Sequence, residues 1–255
     1  MQKFLFKTCL IGAASVSFLF ASNAHAAVTD AVNLRTEDSE LFDLFNGTVN
    51  TERLALDEHT LPELFADSLQ WDGLASTIDV YFINEGAGYR NQLLYSTNGG
   101  EQSMLFNDIA SKESILKNND GPLKLGDGKS ISGLSGNVGI DFFLKANGAK
   151  NSNGKVYGAD AESNADGLQH VVAREFQTDD DNWVLLGFED LFGVHTSLGG
   201  KSDRDFNDTV IAVRGVVGNR TDDPQEVPEP VASEGLLLIG ALGLSQTRRR
   251  KAETT

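Results

Sequence analysis

The stretch Ile78-Asp79-Val80-Tyr81-Phe82-Ile83-Asn84 decides the fold. Ile78, Val80 and Phe82 recur at every second position, the period of a strand with one apolar face. Further short apolar runs follow at Gln92–Ser96, Gly139–Lys145, Gln169–Phe176, Asn182–Phe188 and Thr209–Val217. Gly, Asn and Asp clusters separate them, notably at 118–128 and 147–167, as turns between strands require. Many short strands with such turns predict a mainly β chain built as an antiparallel, jelly-roll-like β-sandwich over residues 76–218. Upstream the period changes. Ser39–Phe45 places Leu41, Leu44 and Phe45 at helical spacing with Ser39 as a cap, and Leu61–Leu69 does the same with Leu61, Leu64, Phe65 and Leu69. Pro62 suits a first helical turn. Residues 27–75 are therefore expected to be short helices and loops packed on the domain.

Both ends read as targeting segments. Lys3 and Lys7 precede the apolar run Cys9–Phe20, and Ala24-His25-Ala26 is an A-x-A cleavage pattern, so residues 1–26 are expected to be a secretory signal. The run is shorter than the roughly 20 apolar residues a membrane span needs. Cleavage there removes the single cysteine, Cys9, and leaves no disulfide. At the other end, residues 219–230 form a Pro- and acid-rich linker. Residues 231–255 hold a short apolar helix and then Arg248-Arg249-Arg250-Lys251. A basic cluster after an apolar helix stays on the cytoplasmic side, so 231–247 is expected to hold the chain at the membrane only transiently.

The chain has 37 Asp and Glu against 21 Lys and Arg, and the two ends hold six of the basic residues but only three of the acids. Residues 27–227 thus carry 15 basic and 34 acidic side chains, a balance near −19. That field repels nucleic acid and anionic lipid and attracts cations. Among the histidines, His59, His170 and His195 are scattered, with no pair at zinc spacing, and no Gly-x-Ser-x-Gly elbow is present.

The densest chemistry lies in Phe188-Glu189-Asp190-Leu191 and Ser202-Asp203-Arg204-Asp205-Phe206-Asn207-Asp208. On an extended chain Asp203, Asp205 and Asn207 share one side while Phe206 points to the core. A hairpin through Gly193, Gly199 and Gly200 would return them beside Glu189 and Asp190, with Asp208 adding a further oxygen. Carboxylates held that close repel unless neutralised, and Arg204 can offset only one. A hard cation with six to eight oxygen ligands fits, and outside the cell that cation is Ca²⁺. The spacing is not an EF-hand. An Asx-rich turn with Arg204 in a salt bridge, and a catalytic acid pair, remain open readings of the same residues. Glu85-Gly86-Ala87-Gly88-Tyr89-Arg90-Asn91 reads first as a hairpin turn, with Glu85 and Asn91 as alternative cation ligands.

Two resemblances follow. Val227-Pro228-Glu229-Pro230, the apolar helix and the Arg cluster resemble the PEP-CTERM sorting signal, with Glu234 inside the helix as a departure. That resemblance implies recognition by a membrane exosortase in a polysaccharide-producing bacterium. Glu85–Asn91, Gly187–Asp190 and Ser202–Asp208 resemble the family called domain of unknown function 4114, which would cover roughly Ser76 to Val217. It implies an extracellular, calcium-binding β-domain of adhesin-like or matrix proteins, without known enzymatic activity. The expectation is an exported cell-surface or matrix protein, not an enzyme, with metal ligands among Glu189, Asp190, Asp203, Asp205, Asn207 and Asp208. Two alternatives stay open. One is a calcium-dependent lectin of extracellular polysaccharide, stacking sugars on Trp71, Trp183, Tyr81, Tyr89 or Tyr95. The other is a glycoside hydrolase using Glu189 and Asp205.

Overall fold

The structure, a computed structural model, describes residues 26–49, 61–116, 120–178 and 181–222. The expected signal, most of the linker and the sorting tail lie outside these residues. No helix among the described residues is long and apolar enough to cross a membrane. The described residues up to Thr221 form one compact unit.

The chain is mainly β and its sheets are antiparallel. In order it forms β1 (Ala27–Ala31), the helices α1 (Leu34–Glu37) and α2 (Ser39–Gly47), then β2 (Glu63–Leu64), β3 (Gln70–Trp71) and β4 (Ile78–Asn84). There follow β5 (Gln92–Thr97), β6 (Ser103–Phe106), β7 (Gly128–Ser132), β8 (Ile140–Lys145) and β9 (Val156–Tyr157). The last strands are β10 (Val171–Gln177), β11 (Asn182–Phe188), β12 (Thr209–Arg214) and β13 (Val216–Val217). One sheet has seven strands in the order β1-β7-β4-β12-β11-β10-β2, another has four in the order β6-β5-β8-β9, and β13 pairs with β3.

Burial follows from what covers each face. In β8, Ile140, Phe142 and Leu144 are buried and the residues between them are half-buried, the alternation of a one-sided strand. In β4 all seven residues are buried, so the expected alternation is absent. On the face carrying Tyr81 and Trp183, α2 supplies the cover: the Phe45 ring lies 5.2 Å from Trp183 and 5.0 Å from Phe176. The core cluster also takes in Leu93, Tyr95, Phe142 and Leu144 of the four-stranded sheet, so both large sheets share one core. Each such side chain contributes roughly 1.5–3 kcal/mol on burial.

Four local expectations need correction. The α2 helix is capped by Asp38, whose carboxylate accepts the Leu41 N–H, and Ser39 is its first residue. Its buried face is Phe42 and Phe45, while Leu44 is exposed. No helix forms over 61–69. Glu63 and Leu64 pair instead with Arg174 and Ala173 at the edge of β10, and the Pro62 carbonyl accepts the Glu175 N–H. The run Thr209–Val217 breaks into β12 and β13 at Gly215, where φ is +83° and a Cβ would lie 2.7 Å from the Thr77 carbonyl oxygen. Finally, residues 27–75 are not only helix and loop, since β1, β2 and β3 all come from them. The strand β1 pairs with β7 from Ala27↔Ser132 to Ala31↔Gly128.

Register brings three connections to one end of the large sheet. Asn84 at the end of β4 pairs with Val210, Thr209 pairs with Phe188 at the end of β11, and Phe188 pairs with Val171 at the start of β10. The segments 85–91, 166–170 and 189–208 therefore meet there.

Candidate metal centre

Glu189 and Asp190 follow β11 directly, and the chain returns to β12 through Asp203–Asp208. The return is not extended. Arg204 and Phe206 both have φ of +56°, in the left-handed region. Non-glycine residues are uncommon there and the conformation costs energy unless the surroundings hold it. The curl fits because two glycines leave room for it. A Cβ on Gly187 would lie 2.4 Å from the Phe206 carbonyl oxygen, and one on Gly86 would lie 2.3 Å from Asn207 Oδ1. The Gly86 N–H donates to the Asn207 carbonyl at 2.8 Å.

The curl brings five carboxyls together in two triads. Glu189, Asp203 and Asp205 each offer an oxygen within 4.8 Å of the other two, and so do Glu189, Asp190 and Asp208. Glu189 is fully buried, Asp190 and Asp205 are 4% exposed, and Asp203 is half-buried. Two oxygens bound to one Ca²⁺ at about 2.4 Å each can be no more than ~4.8 Å apart, and the spacing within each triad stays inside that limit. Asn207 is buried and donates its backbone N–H to Asp205 Oδ1, while its Nδ2 has no hydrogen-bond partner among the described residues. Its side-chain oxygen faces Gly86, so the Asp203-Asp205-Asn207 face expected of an extended chain does not form as such.

Hydrogen bonding also leaves a gap at Glu189. The Leu191 N–H donates to Glu189 Oε1 at 3.0 Å, but Glu189 Oε2 is buried with no hydrogen-bond partner among the described residues. An ionised oxygen in that state is costly. Burial, with the charges of Glu189 and Asp203, pushes the Asp190 carboxyl up to about 7, against a hydrogen bond from Asn91 that lowers it. Asp208 is pushed well up by burial and by its neighbours Asp190 and Glu189. Its Oδ2 also accepts the Asp190 N–H at 2.7 Å.

Arg204 does not answer these charges. Its guanidinium donates to the Gln169 carbonyl oxygen and lies 5.0 Å from the centre of the Phe206 ring. Phe206 is thus half-buried under Arg204 and is not part of the core. Both differ from the expectation of an Arg204 salt bridge and an inward Phe206.

The segment 85–91 is not a hairpin turn. It leaves β4 in the seven-stranded sheet and enters β5 in the four-stranded one. Asn91 is fully buried and donates from Nδ2 to Asp190 Oδ2 at 2.7 Å, so it belongs to the centre as a hydrogen-bond partner. Glu85 lies apart from the triads. Its Oε1 accepts the Ser111 N–H at 2.9 Å, and burial pushes its carboxyl up to about 8.

His170, read as scattered, also sits here. Its Nδ1 lies 2.8 Å from the Glu189 carbonyl oxygen, its Nε2 lies 3.1 Å from Asp166, and its ring stacks on Tyr157 at 3.8 Å. Asp166 in turn accepts the Gly193 N–H, which ties the loop to the centre. Nothing in the local sequence around His170 or Asn91 marks these contacts, which span 19 and 99 residues.

Of the aromatics considered for sugar stacking, Tyr81, Tyr95 and Trp183 are buried. Trp71 is half-buried, with its indole N–H donated to the Ala75 carbonyl, and Tyr89 is exposed. Glu189 is fully buried and Asp205 is 4% exposed.

No curated protein and no solved structure matches the chain. Residues 134–216 match the family described as Domain of unknown function (DUF4114), a stretch that includes Glu189, Asp190 and Asp203–Asp208 but neither Glu85 nor Asn91.

Proposed function

We propose that the chain is an exported cell-surface or extracellular-matrix protein whose non-catalytic β-domain is stabilised by calcium. The observation that carries this reading is the buried Glu189 Oε2, without a hydrogen-bond partner among the described residues, amid carboxyls from two chain segments. A bound cation turns that arrangement from a cost into a gain. The all-oxygen ligand set, with Asp and Glu from loops, favours Ca²⁺ over zinc or copper. The shared core of the two large sheets supports the finer reading of a jelly-roll-like sandwich. The first strand starts at Ala27, the residue that cleavage after Ala26 would expose. The PEP-CTERM-like tail at 231–255 is read as the substrate of an exosortase-type membrane enzyme.

Melting the purified protein with chelator and with excess calcium tests the central claim. At a free calcium concentration 100 times Kd, one site adds ~2.7 kcal/mol. For a domain of this size that raises Tm by roughly 5–10 °C. An unchanged Tm removes the calcium reading.

A further inference from the structure

Resting on the calcium reading, the geometry points to a centre that holds two divalent cations, with Glu189 bridging them. The first reason is distance. An ion at about 2.4 Å from every ligand needs all of them within ~4.8 Å of one another. The five carboxyls do not meet that condition together. They meet it as two separate triads that share Glu189 alone. One ion placed among Glu189, Asp203 and Asp205 therefore leaves Asp190 and Asp208 unbound, and the reverse.

The second reason is the bridging residue. Glu189 Oε2 is fully buried and accepts no hydrogen bond among the described residues. A buried, unpartnered oxygen on the residue common to both triads is itself the mark of a missing partner. A carboxylate between two cations is stabilised from both sides, where a single cation would share its charge with the repulsion of four neighbours.

The third reason is charge. Among the described residues, Glu189, Asp190, Asp203 and Asp208 make no ion pair with Lys or Arg. Arg204, the nearest candidate in sequence, is turned to the Gln169 carbonyl and the Phe206 ring. One dication would offset only two of these four charges, and two dications offset all four.

The two positions are not equivalent. All members of the Glu189–Asp190–Asp208 triad are buried, so its ion is the more shielded from solvent. Asp203 opens the other triad to solvent, so its ion keeps water and exchanges faster.

The experiment is a calcium count on the purified full chain after removal of bound metal, by native mass spectrometry and calorimetric titration. Two ions per chain are expected. The double variant Asp203→Asn/Asp205→Asn should retain one, and Asp190→Asn/Asp208→Asn should retain the other. These isosteric changes remove charge without volume, and circular dichroism checks that each variant is folded. Glu189→Gln should weaken both sites at least tenfold. One ion per wild-type chain overturns the two-ion centre and leaves the calcium reading standing, with a proton held between Asp190 and Asp208 instead. Loss of a single site in Glu189→Gln overturns the bridge. No calcium bound at all overturns both this inference and the function proposed above.

Discussion

Replacing Asp190 by Asn should change stability in opposite directions depending on calcium. The carboxyl is 4% exposed and stands beside Glu189, Asp203 and Asp208. Its folded value is raised from 3.8 to about 7. For an acid, a raised folded value means that the native state holds its proton longer than the unfolded chain. Metal-free stability is then full below about pH 4 and falls as pH rises towards 7. Three units at ~1.4 kcal/mol each set a ceiling near 4 kcal/mol. Because Asp208 titrates with it, about half of that, ~2 kcal/mol, is the share one substitution recovers. Asn keeps an oxygen for the Asn91 amide and carries no charge. In chelator at about pH 8, Asp190→Asn should therefore melt roughly 4–8 °C above wild type, and at about pH 4 the two should coincide. In excess calcium the order reverses, because the variant has lost a ligand whose charge the ion needs. Thermal melts followed by near-ultraviolet circular dichroism of Trp183, in four combinations of pH and calcium, read both effects. A variant no more stable than wild type in chelator at high pH, or no less stable in calcium, refutes the reasoning.

Two further substitutions separate parts of the same argument. Glu85→Gln keeps the acceptor for the Ser111 N–H and removes a carboxyl pushed up to about 8 by burial. Urea titration should show no change near pH 4, and a gain on the order of 2–4 kcal/mol near pH 9 in the variant. An equal midpoint at high pH would mean that Glu85 ionises freely. Gly187→Ala places a methyl 2.4 Å from the Phe206 carbonyl oxygen and 3.3 Å from Val172 Cγ2. It should cost about 1–3 kcal/mol and weaken calcium at least tenfold in calorimetric titration, since the loop must lift from the sheet; unchanged affinity would detach the curl from the ion.

The sequence made the central strands legible because their apolar character is intrinsic. Asn182–Phe188 and Ile78–Asn84 stand in the structure with the bounds that the pattern predicts. What decided 61–69 was a partner. Leucines at helical spacing there meet the free edge of β10, and pairing with Arg174 and Ala173 outweighs a weak local preference. The strand β1 escaped for the opposite reason, since Ala27–Ala31 is an exposed edge with little apolar character. At the site, the density of carboxyls between 189 and 208 was readable, but their placement was not. The left-handed Arg204 and Phe206 replaced the extended face, and no residue type announces them. Nor does any local signal tell that Asn91 reaches Asp190 rather than closing a hairpin.

The position of the centre explains why an ion there would matter to the whole domain. Asn91 stands immediately before β5 of the four-stranded sheet, and Asp190 immediately after β11 of the seven-stranded one. The Asn91 side chain donates to Asp190 and accepts the Asn147 N–H at 2.8 Å, which also draws in the turn after β8. The hydrogen bond between Asn91 and Asp190 is thus a link from one sheet to the other at the sheet end where the acidic loops converge. A cation held by Asp190 fixes the acceptor of that link. The only cysteine, Cys9, falls in the expected signal, so a processed chain has no disulfide to do the same work. The scale is comparable: a disulfide contributes typically about 2–4 kcal/mol, and an ion at 100 times its Kd about 2.7 kcal/mol. The two differ in when they act. On the proposed reading, carboxyls that repel one another would leave the loops unfastened where calcium is scarce, and sites of the extracellular kind, with Kd near 10⁻⁴–10⁻³ M in order of magnitude, would fill only where calcium is plentiful. On the calcium reading, the acidic cluster is a fastener between sheets that closes after export.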